Sequence, residues 1–253
     1  PVDPLFDFTD PPISNLFLHP FVLRTYWQAL EDSANGPLAP ARINPLAQAR
    51  YQAYQASGIP AGSPDGGLGF LSIRRDYILQ LISEARADFR ITSNSGLDFT
   101  NASTLATISG IAPIQARTIT INGIQYPLSW TSITNWTVRL PLTSQTNRFA
   151  FQGYDVNGSL VSNYSRTITI YYNGVVSRPE DSLVINEIMF QPAVSNASYI
   201  EIYNRSANTT FDLWNYRLNG LSFHFNPGDI IAPQSFMMIV QDAVAFQAAY
   251  GSN

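Results

Sequence analysis

The spacing of the apolar residues changes near residue 90, and that switch constrains the chain more than any other feature. Before it, apolar residues recur every three or four positions, the spacing of one helix face. After it, they alternate with polar residues as in half-buried strands, and Asn-Gly pairs punctuate them.

The helical part offers three periodic stretches. Pro20 suits a first helical position, and Phe21, Leu23, Tyr26, Trp27 and Leu30 make a stripe that Asn35-Gly36 ends. Asn44 as cap and Pro45 as first residue predict a second helix, carrying Leu46, Ala49, Ala53 and Tyr54 as far as Gly58. Residues 58–69 read as a Gly/Pro-rich loop. A third helix is predicted over 70–88, with Phe70, Ile73, Tyr77, Ile78, Leu81, Ile82 and Ala85 on one face. Residues 1–18 read as irregular. Such stripes need a partner surface, so the helices are expected to be the edge of a larger α+β domain.

Strands are expected near 89–92, 103–109, 116–121, 126–130, 136–141, 147–154 and 165–172. Asn122-Gly123, Asn157-Gly158 and Asn173-Gly174 are tight-turn signals, because type I′ turns need positive φ at both central residues. That rhythm is the signature of an immunoglobulin-like sandwich, with Trp130 and Trp136 in its core. Residues 174–182 read as a linker. Further strands follow at 183–190, 198–204, 211–218, 221–225 and 235–240, then a short helix capped by Asp242 and ended by Gly251.

Composition narrows the function classes. Charged residues are 13% of the chain, about half the usual share, and the net charge is −4, so no basic field collects nucleic acid. The basic residues are all arginine, which removes the phosphate-gripping lysine of a P-loop or kinase strand. Without cysteine there is no disulfide, thiolate metal site or cysteine nucleophile. No apolar run reaches the roughly 18 residues of a membrane span. Both ends, Pro1 and Asn253, read as cut from something longer.

Several motifs resemble known families. The segments LVINEIMF at 183–190 and YIEIYN at 199–204 resemble the opening of the lamin tail domain (LTD). Residues 211–214, 216–218, 223–225, 231–233 and 236–240 continue the likeness. The resemblance implies an immunoglobulin-like sandwich used for attachment, with no catalytic residues, here lacking its closing strands. ISGIAP at 108–113, TITING at 118–123, Trp130, WTVRLPL at 136–142 and residues 147–158 resemble the immunoglobulin-like spacer beside lamin tail domains in bacterial surface proteins. Residues 21–30, NGPL at 35–38 and RRDYIL at 74–79 resemble the C-terminal helices of CotH kinase-like proteins. That last likeness implies ATP and Mg²⁺ chemistry for the parent protein, with the binding carboxylates mostly upstream of Pro1.

The expected fold class is therefore multidomain: a short all-α segment, the edge of an α+β kinase-like domain, followed by two all-β immunoglobulin-like sandwiches. The expected domains are a helical part at 1–88, a sandwich at 89–177 and a truncated lamin-tail-type sandwich at 183–253.

Candidate chemistry is sparse. Asp3, Asp7 and Asp10 cluster before the first helix and are the candidate cofactor-binding residues, through Mg²⁺ beside a nucleotide. Their neighbours Pro4, Pro11 and Pro12 favour a solvated loop. Asp155 and Asn157 could offer oxygens to Ca²⁺, although the run is also a complete hairpin turn without a bidentate Glu. Gly66-Gly67-Leu68-Gly69 precedes a helix as phosphate loops do, but no strand leads in and no Lys or Ser/Thr follows where required. His19 and His224 fall in different predicted domains and read as structural. Arg74, Arg75, Arg86 and Arg90 read as salt-bridged to Asp76, Glu84 and Asp88, or as a solvated face. Asn186, Glu187 and Glu201 could suggest glycosidase carboxylates, yet an open sandwich face excludes water poorly, so they read as structural.

The expectation is a non-catalytic interaction region of a secreted or surface bacterial CotH kinase-like protein, needing no cofactor itself. It is expected to be monomeric and to bind a protein or cell-surface component, not nucleic acid. The alternatives are part of an ATP-dependent kinase-like enzyme whose active site lies mostly upstream, or carbohydrate-binding sandwiches.

Overall fold

The computed structural model describes residue 5 and residues 9–251. The first elements are helical: α1 (Pro11–Phe17), α2 (Pro20–Asn35), α3 (Pro40–Ala56) and α4 (Asp65–Glu84). Each of the first three has proline at its start, where the missing N–H is no loss.

Three helical expectations are corrected. Residues 11–17 are helical, because Pro11 and Pro12 set a helical φ in the first turn. Helix α3 starts at Pro40, with Arg42 and Ile43 N–H bonding to the Ala39 carbonyl, so Pro45 lies inside it. Helix α4 starts at Asp65, so Gly66, Gly67 and Gly69 are helical residues rather than a loop.

Helices α2 and α4 pack together around Ala34, Ile78 and Ile82. The stripes are less buried than their spacing predicts: Phe21, Leu46, Tyr54, Phe70 and Ile73 are exposed, since nothing among the described residues covers those faces.

Next come β1 (Arg90–Ile91), β2 (Phe99–Thr100), β3 (Leu105–Ile111), β4 (Thr118–Ile121), β5 (Ser129–Trp130), β6 (Asn135–Pro141), β7 (Thr146–Tyr154) and β8 (Leu160–Tyr171). They form two sheets, β1-β3-β6-β5 and β2-β8-β7-β4. All pairs are antiparallel except β2 with β8. This is the ABED and CFG arrangement of an immunoglobulin sandwich, with the first strand divided between the sheets. The division occurs at 93–96, where Asn94, Ser95 and Gly96 all take positive φ (46°, 56° and 80°) and swing the chain across.

Alternation places Ile108, Trp136, Val138, Leu140, Phe151, Ile168 and Ile170 between the sheets. Trp136 stacks on Phe151 across the core with ring centroids 5.3 Å apart. Its partner on the neighbouring strand is Gly110, and a Cβ there would lie only 2.1 Å from the indole ring. Glycine at 110 is thus what lets the large ring lie flat on β3.

Trp130 departs from expectation: it is only partly buried, on the short edge strand β5, with Arg24 over its ring. Of the Asn-Gly signals, Asn122-Gly123 has both residues at positive φ. At 157–158 only Gly158 does, because Asp155 organises that turn. Asn173-Gly174 makes no such turn, and Gly174 instead lies tight under the Tyr172 ring.

The third part contains β9 (Leu183–Met189), β10 (Tyr199–Asn204), β11 (Phe211–Asp212), β12 (Ile230–Ile231), β13 (Phe236–Val240) and α5 (Ala243–Tyr250). Strands β13-β10-β9 make one antiparallel sheet and β11-β12 a short second layer. The strand expected at 221–225 is reduced to a bridge between Arg217 and His224. Asp242 caps α5 by accepting from Ala245 N–H at 2.8 Å, and Gly251 ends it with φ 85°.

Candidate functional site

Two polar junctions hold the three parts against one another. At the first, the loop between β3 and β4 enters the helical layer. Its Ile114 is buried beside Ala34, Ile78 and Ile82. Arg24 of α2, only 3% exposed, spreads its guanidinium over the carbonyls of that loop. It donates to Pro113 O at 2.7 Å, Ala116 O at 2.8 Å, Ala112 O at 3.3 Å and also to Ile133 O. Burial, and then the like charge of Arg117, lower its pKa to about 9, so it is charged at neutral pH. Arg117 in turn pairs with Glu31 at 2.9 Å and Asp32 at 2.6 Å.

At the second junction, Thr104 accepts from Thr210 N–H at 2.8 Å and donates to Asn208 O at 2.7 Å. Tyr126 donates to Asp212 at 2.8 Å. Burial first, and then that hydrogen bond and charge, push the Tyr126 phenol above its ordinary value. Behind these contacts Asn204 is fully buried. Its amide donates to Thr209 O, Ala232 O and Ile231 O, and its oxygen accepts from Ser206 N–H.

The predicted site residues do not converge. Asp3 and Asp7 lie outside the described residues. Asp10 stands exposed at the N-cap of α1 with no side-chain capping bond. Asp155 accepts from the N–H groups of Asn157 (2.8 Å) and Ser159 (2.9 Å), so its carboxylate closes the turn. Among the described residues no group of three or more His, Asp or Glu could hold a metal ion. His19 precedes α2 and His224 lies in the third part. Of the expected arginine pairs, Arg75–Asp76 forms at 3.3 Å, while Glu84 accepts from Gln80. Asn186 is the extra residue of a bulge, donating to Glu201 at 2.5 Å. Glu187, directly opposite Glu201, accepts from Tyr199, and that bond heads the causes raising the Tyr199 pKa.

What stands out is β9. It pairs with β10 on one side only, so its other edge carries unpaired backbone groups among the described residues. Its inward residues are also uncovered. Ile185 and Ile188 share the face of the buried Ile202 and the partly buried Ile200 and Ile239, yet they are 54% and 57% exposed. The short layer β11-β12 and the segment 213–225 cover only part of that face. They leave apolar cavities of about 260 Å³ beside Ile185 and Leu218 and about 500 Å³ beside Ile188 and Phe223. An added strand could bond the edge and cover both isoleucines at once. The strand 183–189 is legible in the sequence, but only the bulge at Asn186 puts Ile185 and Ile188 on one face, and only the strand order shows that one side of β9 is open.

No helix of the described residues is long and apolar enough to cross a membrane. No curated protein matches the chain. Among solved structures, the chain is similar to the Bacteroides ovatus mixed-linkage glucan utilization locus protein SGBP-B, solved with a mixed-linkage heptasaccharide. The identity is 15%, over 62% of this chain and 46% of that one, with a TM-score of 0.23. The chain thus spans about half the length of that protein. Residues 177–253, which hold β9 through α5, match the family model of the Lamin Tail Domain.

Proposed function

We propose that this chain is a non-catalytic interaction region of a secreted or surface bacterial CotH kinase-like protein. Its helical part (1–88) belongs to the kinase-like domain, 89–177 is a spacer sandwich, and 183–253 is a lamin-tail-type binding module. The observation that carries the reading is the open edge of β9 with its uncovered isoleucines, a surface suited to receiving an extended segment. The exposed Phe21, Leu46, Phe70 and Ile73 favour a helical part that packs against further structure.

The test measures Mg-ATP binding and phosphoryl transfer to protein by the 253-residue chain and by an upstream-extended protein. The expected result is binding by the extended protein alone. Turnover by the 253-residue chain would overturn the reading. Equal failure by the extended protein would remove the kinase-like assignment and leave the interaction role of β9 standing.

A further inference from the structure

Where the end of α4, strand β1, the loop between β3 and β4, and strand β8 meet, a cavity of about 710 Å³ opens. Its wall includes Arg86, Arg90 and Arg166 together with Glu31, Asp88 and Tyr164. Glu31 is already engaged, one oxygen by Arg117 at 2.9 Å and the other by Gln115 at 2.6 Å. Asp88, the other carboxylate of the wall, has no side-chain hydrogen-bond or ion-pair partner among the described residues.

Among the described residues neither Arg86 nor Arg90 has a side-chain hydrogen-bond or ion-pair partner. Arg166 uses Nη1 on the carbonyls of Asn163 (3.2 Å) and Ser165 (2.7 Å), which fixes the side chain and leaves Nε and Nη2 open. Arg86 and Arg90 are near neighbours in the chain, and the fold brings Arg166, about 80 positions on, to the same wall. A guanidinium presents a planar fork that meets carboxylate, sulfate or phosphate oxygens two at a time.

We propose that this cavity binds a small molecule carrying two or more oxyanion groups on a polar frame. Three guanidinium forks on one wall suit several anionic groups better than one. The volume falls within the range of about 300–1,000 Å³ typical of small-molecule sites and exceeds what a single inorganic anion needs. Tyr164, held against Phe89 with centroids 5.6 Å apart, contributes a fixed hydroxyl, and burial, then Glu31, raises its pKa so that it remains a donor. Because the wall is shared by the helices and the sandwich, an occupant would also brace that junction. The inference is independent of the role proposed for β9.

Calorimetry and thermal shift on the whole chain at low ionic strength test it with three probes: a sulfated heparin disaccharide, digalacturonate and inorganic pyrophosphate. At least one should bind, weaken as salt rises, and raise the melting temperature. The triple variant R86Q/R90Q/R166Q should bind it about tenfold or more weakly. R42Q/R50Q/R148Q removes the same charge from exposed positions elsewhere and should bind within about twofold of the parent. The best-bound probe identifies whether sulfate, carboxylate or phosphate is the natural group. No binding by any probe, binding that survives the first variant, or equal loss in both variants overturns the proposal. All six positions are exposed, so both variants should keep the parent circular dichroism spectrum.

Discussion

Replacing Arg24 by methionine should separate the helical layer from the sandwich. The side chain is almost wholly buried and serves four backbone carbonyls, those of Ala112, Pro113, Ala116 and Ile133, while covering the Trp130 ring at 3.7 Å. Methionine keeps most of the volume, so the loss is polar. Each buried acceptor left without a donor costs about 1–3 kcal/mol, and the charge-assisted bonds are at the stronger end. Against this, the variant no longer desolvates a guanidinium, which offsets part of the sum. The net expectation is a loss of about 3–5 kcal/mol, the low end of the summed acceptor cost once that offset is taken.

Arg24→Lys keeps the charge but cannot reach four acceptors with one ammonium, so about half that loss is expected. Urea unfolding at neutral pH, followed by tryptophan fluorescence in a Trp27→Phe, Trp214→Phe background for the sandwich and by far-ultraviolet circular dichroism for the helices, reads both variants. In Arg24→Met the helical signal should unfold at lower urea than the sandwich. A loss below about 1 kcal/mol, an ordinary value for a surface substitution or less, would refute the view that this guanidinium clamps the two layers.

Gly110→Ala should cost about 1–3 kcal/mol or more in thermal unfolding, because the new methyl meets the Trp136 ring and the core has no room to yield. A neutral result would mean the ring can shift. Asn204→Leu should destabilise the C-terminal part by about 2–4 kcal/mol, removing the side-chain partner of the Ser206 N–H and of three carbonyls, read as a lower urea midpoint. Tyr126 has its folded-state pKa above its unfolded value of about 10. The stability it contributes is complete below pH 10 and is lost as pH rises through the folded-state value. Tyr126→Phe should therefore lose about 1–2 kcal/mol at pH 8 and show a shallower further decline above pH 10 in denaturant titrations.

The helices, the strand-rich remainder and most strand positions follow from local rules that act within a few residues. Proline fixes φ at helix starts, Asp242 and Gly251 bound α5, and alternation in 135–141 and 146–154 orients the core of the sandwich. Those same rules mislead where a short-range cue competes with long-range packing. Pro45 looks like a helix start until Pro40 takes that place, and the glycines at 66–69 look like a loop until the helix begins at Asp65.

What no sequence window carries is pairing across distance. Arg24 reads as a polar residue between apolar ones, and only the docking of a loop nearly 90 positions away makes it the most buried charge among the described residues. Arg166 joins the neighbouring Arg86 and Arg90 in one cavity wall only when β8 packs beside the segment that links α4 to β1. Ile185 and Ile188 show the limit from the other side. Three positions apart, they would fall on opposite faces of a regular strand, and only the bulge at Asn186 turns both inward. Whether an inward face is covered depends on which strands stand next to it, and that is decided by the tertiary structure alone.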